Sequence, residues 1–64
     1  MIRKVKVGDK ICVIVLPEFD IYGNEYEVIG GGGTVVEVKD DSVIVKLFDG
    51  ATIEAKGTEF EIIG

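Results

Sequence analysis

At 64 residues, with twelve acidic side chains against seven basic ones and a formal charge of −5, the chain is short, acidic and free of histidine. Its single cysteine, Cys12, forbids an intrachain disulfide, and one cysteine without histidine cannot furnish the ligands of a structural zinc site. The excess negative charge also opposes the electrostatic attraction that supplies most nucleic-acid affinity.

Nothing in the chain repeats at helical three-and-four spacing. Valine and isoleucine alternate or run in short blocks, which predicts strands. The first is expected over 10–16, entered from a turn at Val7-Gly8-Asp9, with Ile11, Val13 and Val15 on one side and Cys12, Ile14 and Leu16 on the other. Inside the run ICVIVL, Cys12 reads as a buried, inert small hydrophobe, and a lone buried thiol suits a cytoplasmic setting. Pro17 stops the strand because it has no N–H to give a ladder.

Residues 17–33 then make a long arm. A turn signal at Gly23-Asn24 is flanked by Phe19, Ile21 and Tyr22 on one side and Tyr26, Val28 and Ile29 on the other. That aromatic and β-branched content predicts a folded-over hairpin rather than a disordered loop. The arm closes on Gly30 to Gly33. A phosphate cradle needs converging N–H groups, commonly at a helix N-terminus, with a lysine or hydroxyl to complete it. Here GGGGTVVEV leads into a strand and no GK[ST] follows, so the glycines are expected to form a hinge-like neck with at least one positive φ.

The second strand is expected over 34–39, with a turn at Asp40-Asp41 and a third strand over 42–48. Alternation puts Val43, Val45 and Leu47 inward, and Ile44 and Phe48 outward. Asp49-Gly50 predicts a two-residue type I′ turn, because that turn needs positive φ. A fourth strand follows over 51–56 with Ala51, Ile53 and Ala55 inward, then a tight turn at 57–59 and a short last strand over 60–63. The expected architecture is a single all-β domain, 1–64: a five-stranded SH3-like barrel with a long hairpin-like first loop at 17–33.

The stretch 7–63 resembles the SH3-like barrel superfamily. Within it, Gly33-Thr34-Val35-Val36-Glu37-Val38 is similar to the opening of a KOW module, where a glycine is followed by apolar residues two and five places on, here Val35 and Val38. VGDKICV upstream and FEII at the close fit the same plan. The KOW likeness implies attachment to RNA or to the transcription and translation machinery, for which the basic residues are Arg3, Lys4, Lys6, Lys10 and Lys46. The likeness has limits: the chain lacks the tryptophan of Src-homology peptide-binding domains, and its fourth strand reads TIEA where barrel-type dihydrofolate reductases carry a catalytic glutamine motif.

Catalysis is not expected, since histidine is absent and Cys12 has no candidate base. Asp40, Asp41 and Asp49 lack the spaced D-x-D-x-D-G pattern of calcium loops, so neither a metal nor a cofactor is expected. The arm aromatics Phe19, Tyr22 and Tyr26, with Glu25 and Glu27 nearby, suit contact with a basic protein segment. Ile14, Leu16, Ile44 and Phe48 would form an exposed apolar subunit interface if the strands gather them and the arm leaves them uncovered.

The function expected is therefore a non-catalytic protein-binding module or small assembly subunit that self-associates. KOW-like RNA binding is the alternative, and a small-molecule pocket between subunits of an oligomer is a third reading. No stretch approaches the roughly 20 apolar residues of a membrane helix, and no signal-peptide cleavage pattern follows ICVIVL. A soluble, cytoplasmic protein is the expectation.

Overall fold

The computed structural model describes residues 5–27, 30–48 and 50–63. Among these there is no helix, and five strands form: β1 (Lys10–Val13), β2 (Gly32–Val38), β3 (Ser42–Leu47), β4 (Thr52–Lys56) and β5 (Phe60–Ile62). Every pairing is antiparallel, and the sheet order is β4-β3-β2-β1-β5. The all-β expectation holds, and each expected strand is present with its ends moved by a few residues.

One face of the sheet carries the core. Ile11 and Val13 from β1, Val35 from β2, Val43, Val45 and Leu47 from β3, Ile53 and Ala55 from β4, and Phe60 from β5 form one buried cluster. Among the described residues no second layer lies over this face, and Val5, Leu16, Tyr26 and Ala51 pack against it as partly buried residues. A face sealed from water without a covering layer requires the sheet to coil over itself, which the right-handed twist of antiparallel strands permits. β4 and β5 nevertheless remain the two edges of the order and do not pair with each other.

The connections follow local chemistry. Asp40 and Asp41 make a two-residue turn, closed by the Lys39 N–H donating to the Ser42 carbonyl at 2.8 Å. The connection from β3 to β4 is longer than the two-residue turn expected, since β3 ends at Leu47 and β4 begins at Thr52. The Leu47 N–H donates to the Ala51 carbonyl at 2.7 Å, the Gly50 N–H returns to Leu47 at 2.9 Å, and Gly50 takes φ 101°. Glycine in the left-handed region lets the chain reverse just beyond β3, while the Phe48 N–H still donates to the Gly32 carbonyl of β2 at 3.1 Å. Asp49, part of the expected turn, lies outside the described residues.

β1 is shorter than expected. After Val13, the Ile14 N–H turns to the Glu59 carbonyl at 2.6 Å, so Val15 is exposed and does not share the buried side of Ile11 and Val13 as the alternation predicts, while Leu16 packs partly against the core. Cys12 is exposed, contrary to its expected burial: it pairs with Gly32 and Glu61 on the outward face, and the glycine beside it has no side chain to cover the thiol.

The glycine run is also different in kind. Gly32 and Gly33 belong to β2, and the glycines with positive φ among the described residues are Gly8, Gly23 and Gly50. The run is used for closeness instead. A Cβ on Gly31 would stand 2.2 Å from the Val13 carbonyl oxygen, and one on Gly33 would stand 2.7 Å from the Lys46 carbonyl oxygen and from Val45 Cγ1. These positions take glycine because the neighbouring backbones leave no room for a side chain.

Candidate functional site

The arm provides one wall of a groove. Asp20 organises its tip: one carboxylate oxygen accepts from the Tyr22 and Asn24 N–H groups, both at 2.9 Å, and its own N–H donates to the Asn24 carbonyl. This is an Asx-type turn, with Gly23 at φ 81° giving the reversal. The turn at Gly23-Asn24 is therefore as expected, though no strand pairs within the described arm residues. Two further bonds fix the arm in place. The Tyr26 hydroxyl donates to the Pro17 carbonyl, tying its two limbs, and the Ile21 N–H donates to the Thr52 carbonyl at 3.0 Å, docking the arm on β4.

The opposite wall comes from the outward faces of β2, β3 and β4. Register places Glu37, Ile44 and Glu54 in one row, Ile44 central. That row depends on a bulge at Val36, where the β2–β3 register shifts between Val35 and Glu37. Strict alternation from Val35 would send Glu37 inward. The extra residue turns Glu37 out beside Ile44, and lets Val35 and Val38 both oppose buried valines of β3. The spacing of three between Val35 and Val38 is the sequence signal of this bulge: two same-face residues in a regular strand must be an even number apart.

Between these walls lies a groove of about 570 Å³ lined by Pro17, Phe19, Asp20, Ile21, Glu37, Lys39, Ile44 and Glu54. Ile44, only 7% exposed although it faces away from the core cluster, makes the apolar floor. Three carboxylates and one ammonium surround the apolar residues. Glu54 accepts from the buried Ser42 hydroxyl at 2.6 Å, and Lys39 Nζ stands 3.7 Å from the same oxygen. The Ser42 hydrogen bond, assisted by the Lys39 charge, holds the Glu54 carboxyl below the ordinary carboxylate range, against a smaller opposing effect of desolvation. Glu54 thus keeps its negative charge into mild acid.

The residues expected to bind a partner are divided by this geometry. Phe19 lines the groove, Tyr22 is 75% exposed at the arm tip, and Tyr26 is half-buried against the core as part of the arm's own support. Glu25 and Glu27 are exposed but do not line the groove, whose acids are Asp20, Glu37 and Glu54. The four residues expected at a subunit interface are not gathered into one patch. Ile44 lies in the groove, Leu16 packs partly on the core, and only Ile14 and Phe48 are freely exposed. Phe48 reaches over Gly32, beside Cys12, so an outward apolar row survives there.

Of the basic set, Lys10 and Lys46 flank Thr34 in one cross-strand row, and Lys10 Nζ donates to the Thr34 hydroxyl at 3.0 Å. Lys6 is exposed on the approach to β1, while Arg3 and Lys4 lie outside the described residues, as do Val28 and Ile29 of the arm. Among the described residues no group of three or more His, Cys, Asp and Glu side chains is placed to hold a metal ion, and no helix is long and apolar enough to cross a membrane. Comparison with known proteins gives no match to a family model, a curated protein or a solved structure.

Proposed function

We propose that this chain is a non-catalytic protein-binding module, an SH3-like barrel whose ligand surface is the groove between the arm and the outward faces of β2, β3 and β4. The observation that carries this reading is the make-up of the groove. An apolar lining, Ile44 on the floor with Phe19, Ile21 and Pro17 on the arm wall, is rimmed by Asp20, Glu37 and Glu54. Apolar floor gives contact area and the charged rim gives orientation, the usual division in a peptide-binding site. Hydrogen bonds at the arm tip, to Thr52 of β4 and between the limbs through Tyr26 and Pro17 hold the wall in place before any ligand arrives, so little ordering cost falls on binding.

Selection from a random-peptide display library tests it. Enriched peptides are expected to lose about tenfold in affinity for Phe19→Ala, a change of about 1.4 kcal/mol, while Phe48→Ala binds them as the parent does. Selected peptides insensitive to Phe19→Ala would place the ligand surface elsewhere and end this reading.

Self-association belongs to the same proposal, with Phe48, 71% exposed, and Ile14 as its surface. Sedimentation equilibrium should show the parent chain associating and Phe48→Glu as a folded monomer; identical sedimentation of the two removes the self-association part. A second reading, RNA binding, draws on the Lys10–Thr34–Lys46 row, and an RNA affinity falling steeply with salt would favour it over peptide binding.

A further inference from the structure

Among the described residues Lys39 is the only cationic one lining the groove, and its Nζ stands 3.7 Å from the Glu54 carboxylate oxygen that also accepts from Ser42. Resting on the reading of the groove as a peptide site, we propose that its occupant is a segment carrying an arginine or lysine beside an aliphatic residue, and that Lys39 is a built-in competitor for the position of the incoming cation.

Charge complementarity supplies the first half. Asp20, Glu37 and Glu54 outnumber Lys39 three to one in the lining, and Ile44 and Phe19 sit among them. A long cationic side chain matches such a surface, because its methylene stem covers apolar atoms while its head reaches a carboxylate. Of the three acids, Asp20 spends one oxygen on the arm-tip turn. Glu54 has one oxygen engaged by Ser42 and Lys39, and its side chain is 48% exposed, so an incoming guanidinium can reach it.

The geometry of Lys39 supplies the second half. Its separation of 3.7 Å from Glu54 Oε2 is beyond a good charge-assisted hydrogen bond, and its side chain is 47% exposed. Exposed ion pairs of this kind contribute little and exchange readily. An arginine offers a planar fork that pairs with carboxylates more closely than an ammonium at that distance. Lys39 therefore keeps the site partly neutralised when empty and sets a threshold favouring arginine over weaker cations.

The test uses the full chain and two probes, acetyl-Leu-Arg-Leu-amide and acetyl-Leu-Gln-Leu-amide, titrated to millimolar concentration while amide chemical shifts are followed. The arginine peptide should shift Phe19, Ile21, Ile44 and Glu54, and the glutamine peptide should bind more weakly. Lys39→Met should tighten the arginine peptide by about two- to fivefold, and Glu54→Gln should weaken it by a similar factor. In the Glu54→Gln background, Lys39→Met should have almost no further effect, because the competition acts through that one carboxylate.

An undiminished Lys39→Met effect in that background would mean a general field effect, and no Lys39→Met effect at all would mean no competition. Either result overturns the competitor role while leaving the groove a peptide site. Equal binding of the two probes overturns the cationic occupant. Absence of groove shifts with both probes overturns the inference together with the reading beneath it.

Discussion

Gly31→Ala and Gly33→Ala should each destabilise the fold by about 2–4 kcal/mol, while Gly30→Ala and Gly32→Ala should cost less than about 1 kcal/mol. The four positions are adjacent in sequence, so the contrast isolates packing from any property of the glycine run as a whole. At Gly31 the new methyl would meet the Val13 carbonyl oxygen at 2.2 Å, and Gly31 also accepts the Val13 N–H at 2.8 Å. Moving either strand to relieve the overlap breaks that bond. At Gly33 the methyl would meet the Lys46 carbonyl oxygen and Val45 Cγ1 at 2.7 Å, within the β2–β3 ladder where Gly33 pairs with Leu47. At Gly32 the obstacle is the Phe48 ring at 3.1 Å, an exposed side chain that can swing away, and at Gly30 nothing stands within 4 Å.

Alanine also restricts the unfolded chain more than glycine does, which offsets part of the cost wherever there is room. For 64 residues the total stability is expected near 3–10 kcal/mol, so the two severe variants lose a large share of it. Urea unfolding midpoints of the four single variants decide the matter. Uniform tolerance would mean that the run serves as a loose neck and that β2 is not held closely between β1 and β3.

Much of this fold was legible in the sequence, and the reason is local. Strict alternation in Val43, Val45 and Leu47 and in Ile53 and Ala55 marks one inward face, and all five are buried. The two-aspartate turn and the left-handed Gly50 likewise follow from side-chain chemistry within a few residues. What could not be read locally was set across strands. Whether Gly33 is a hinge or a tight contact depends on Lys46 and Val45, its neighbours only after β2 and β3 are in register. Cys12 sits in an apolar run that suggests burial, yet its cross-strand neighbours are Gly32 and Glu61, and neither covers it.

The groove illustrates the same division. Phe19 was identifiable as an aromatic among acids, but the acids that share its groove, Glu37 and Glu54, lie far along the chain on β2 and β4. Glu25 and Glu27, closer in sequence, are not in the lining. Ile44 looked like an interface residue because alternation turned it away from the core; the arm, held to β4 by the Ile21 bond, makes that outward position part of a recess. The bulge at Val36 was written in the odd spacing of Val35 and Val38, a signal that resemblance to a glycine-led module does not explain in physical terms.

Phe60→Ala should be the most damaging side-chain truncation, at about 3–5 kcal/mol, leaving much of the protein unfolded at room temperature. Phe60 is fully buried and heads the set of largest buried side chains, whereas its strand companions Glu61 and Ile62 are exposed. β5 is three residues long and pairs with β1 alone, so the one ring is its main hold on the core. The loss would spread to the arm. The turn before β5 presents the Glu59 carbonyl that receives the Ile14 N–H, and Ile14 is where the chain leaves β1 for the arm.

Phe60→Leu keeps most of the buried volume and should cost about 1.5 kcal/mol, and Ile62→Ala, at an exposed position, less than that. Denaturant unfolding of the three variants, with amide exchange of Ile14 and Val15 in Phe60→Leu, separates a local from a global role. If Phe60→Ala unfolds with nearly the parent's midpoint, the ring is not sealed by the other strands and the sheet does not coil far enough to enclose β5. If the full loss is seen, a single ring ties the last edge of the sheet to the core fed by its opposite edge, β4, and does so beside the root of the arm that walls the groove.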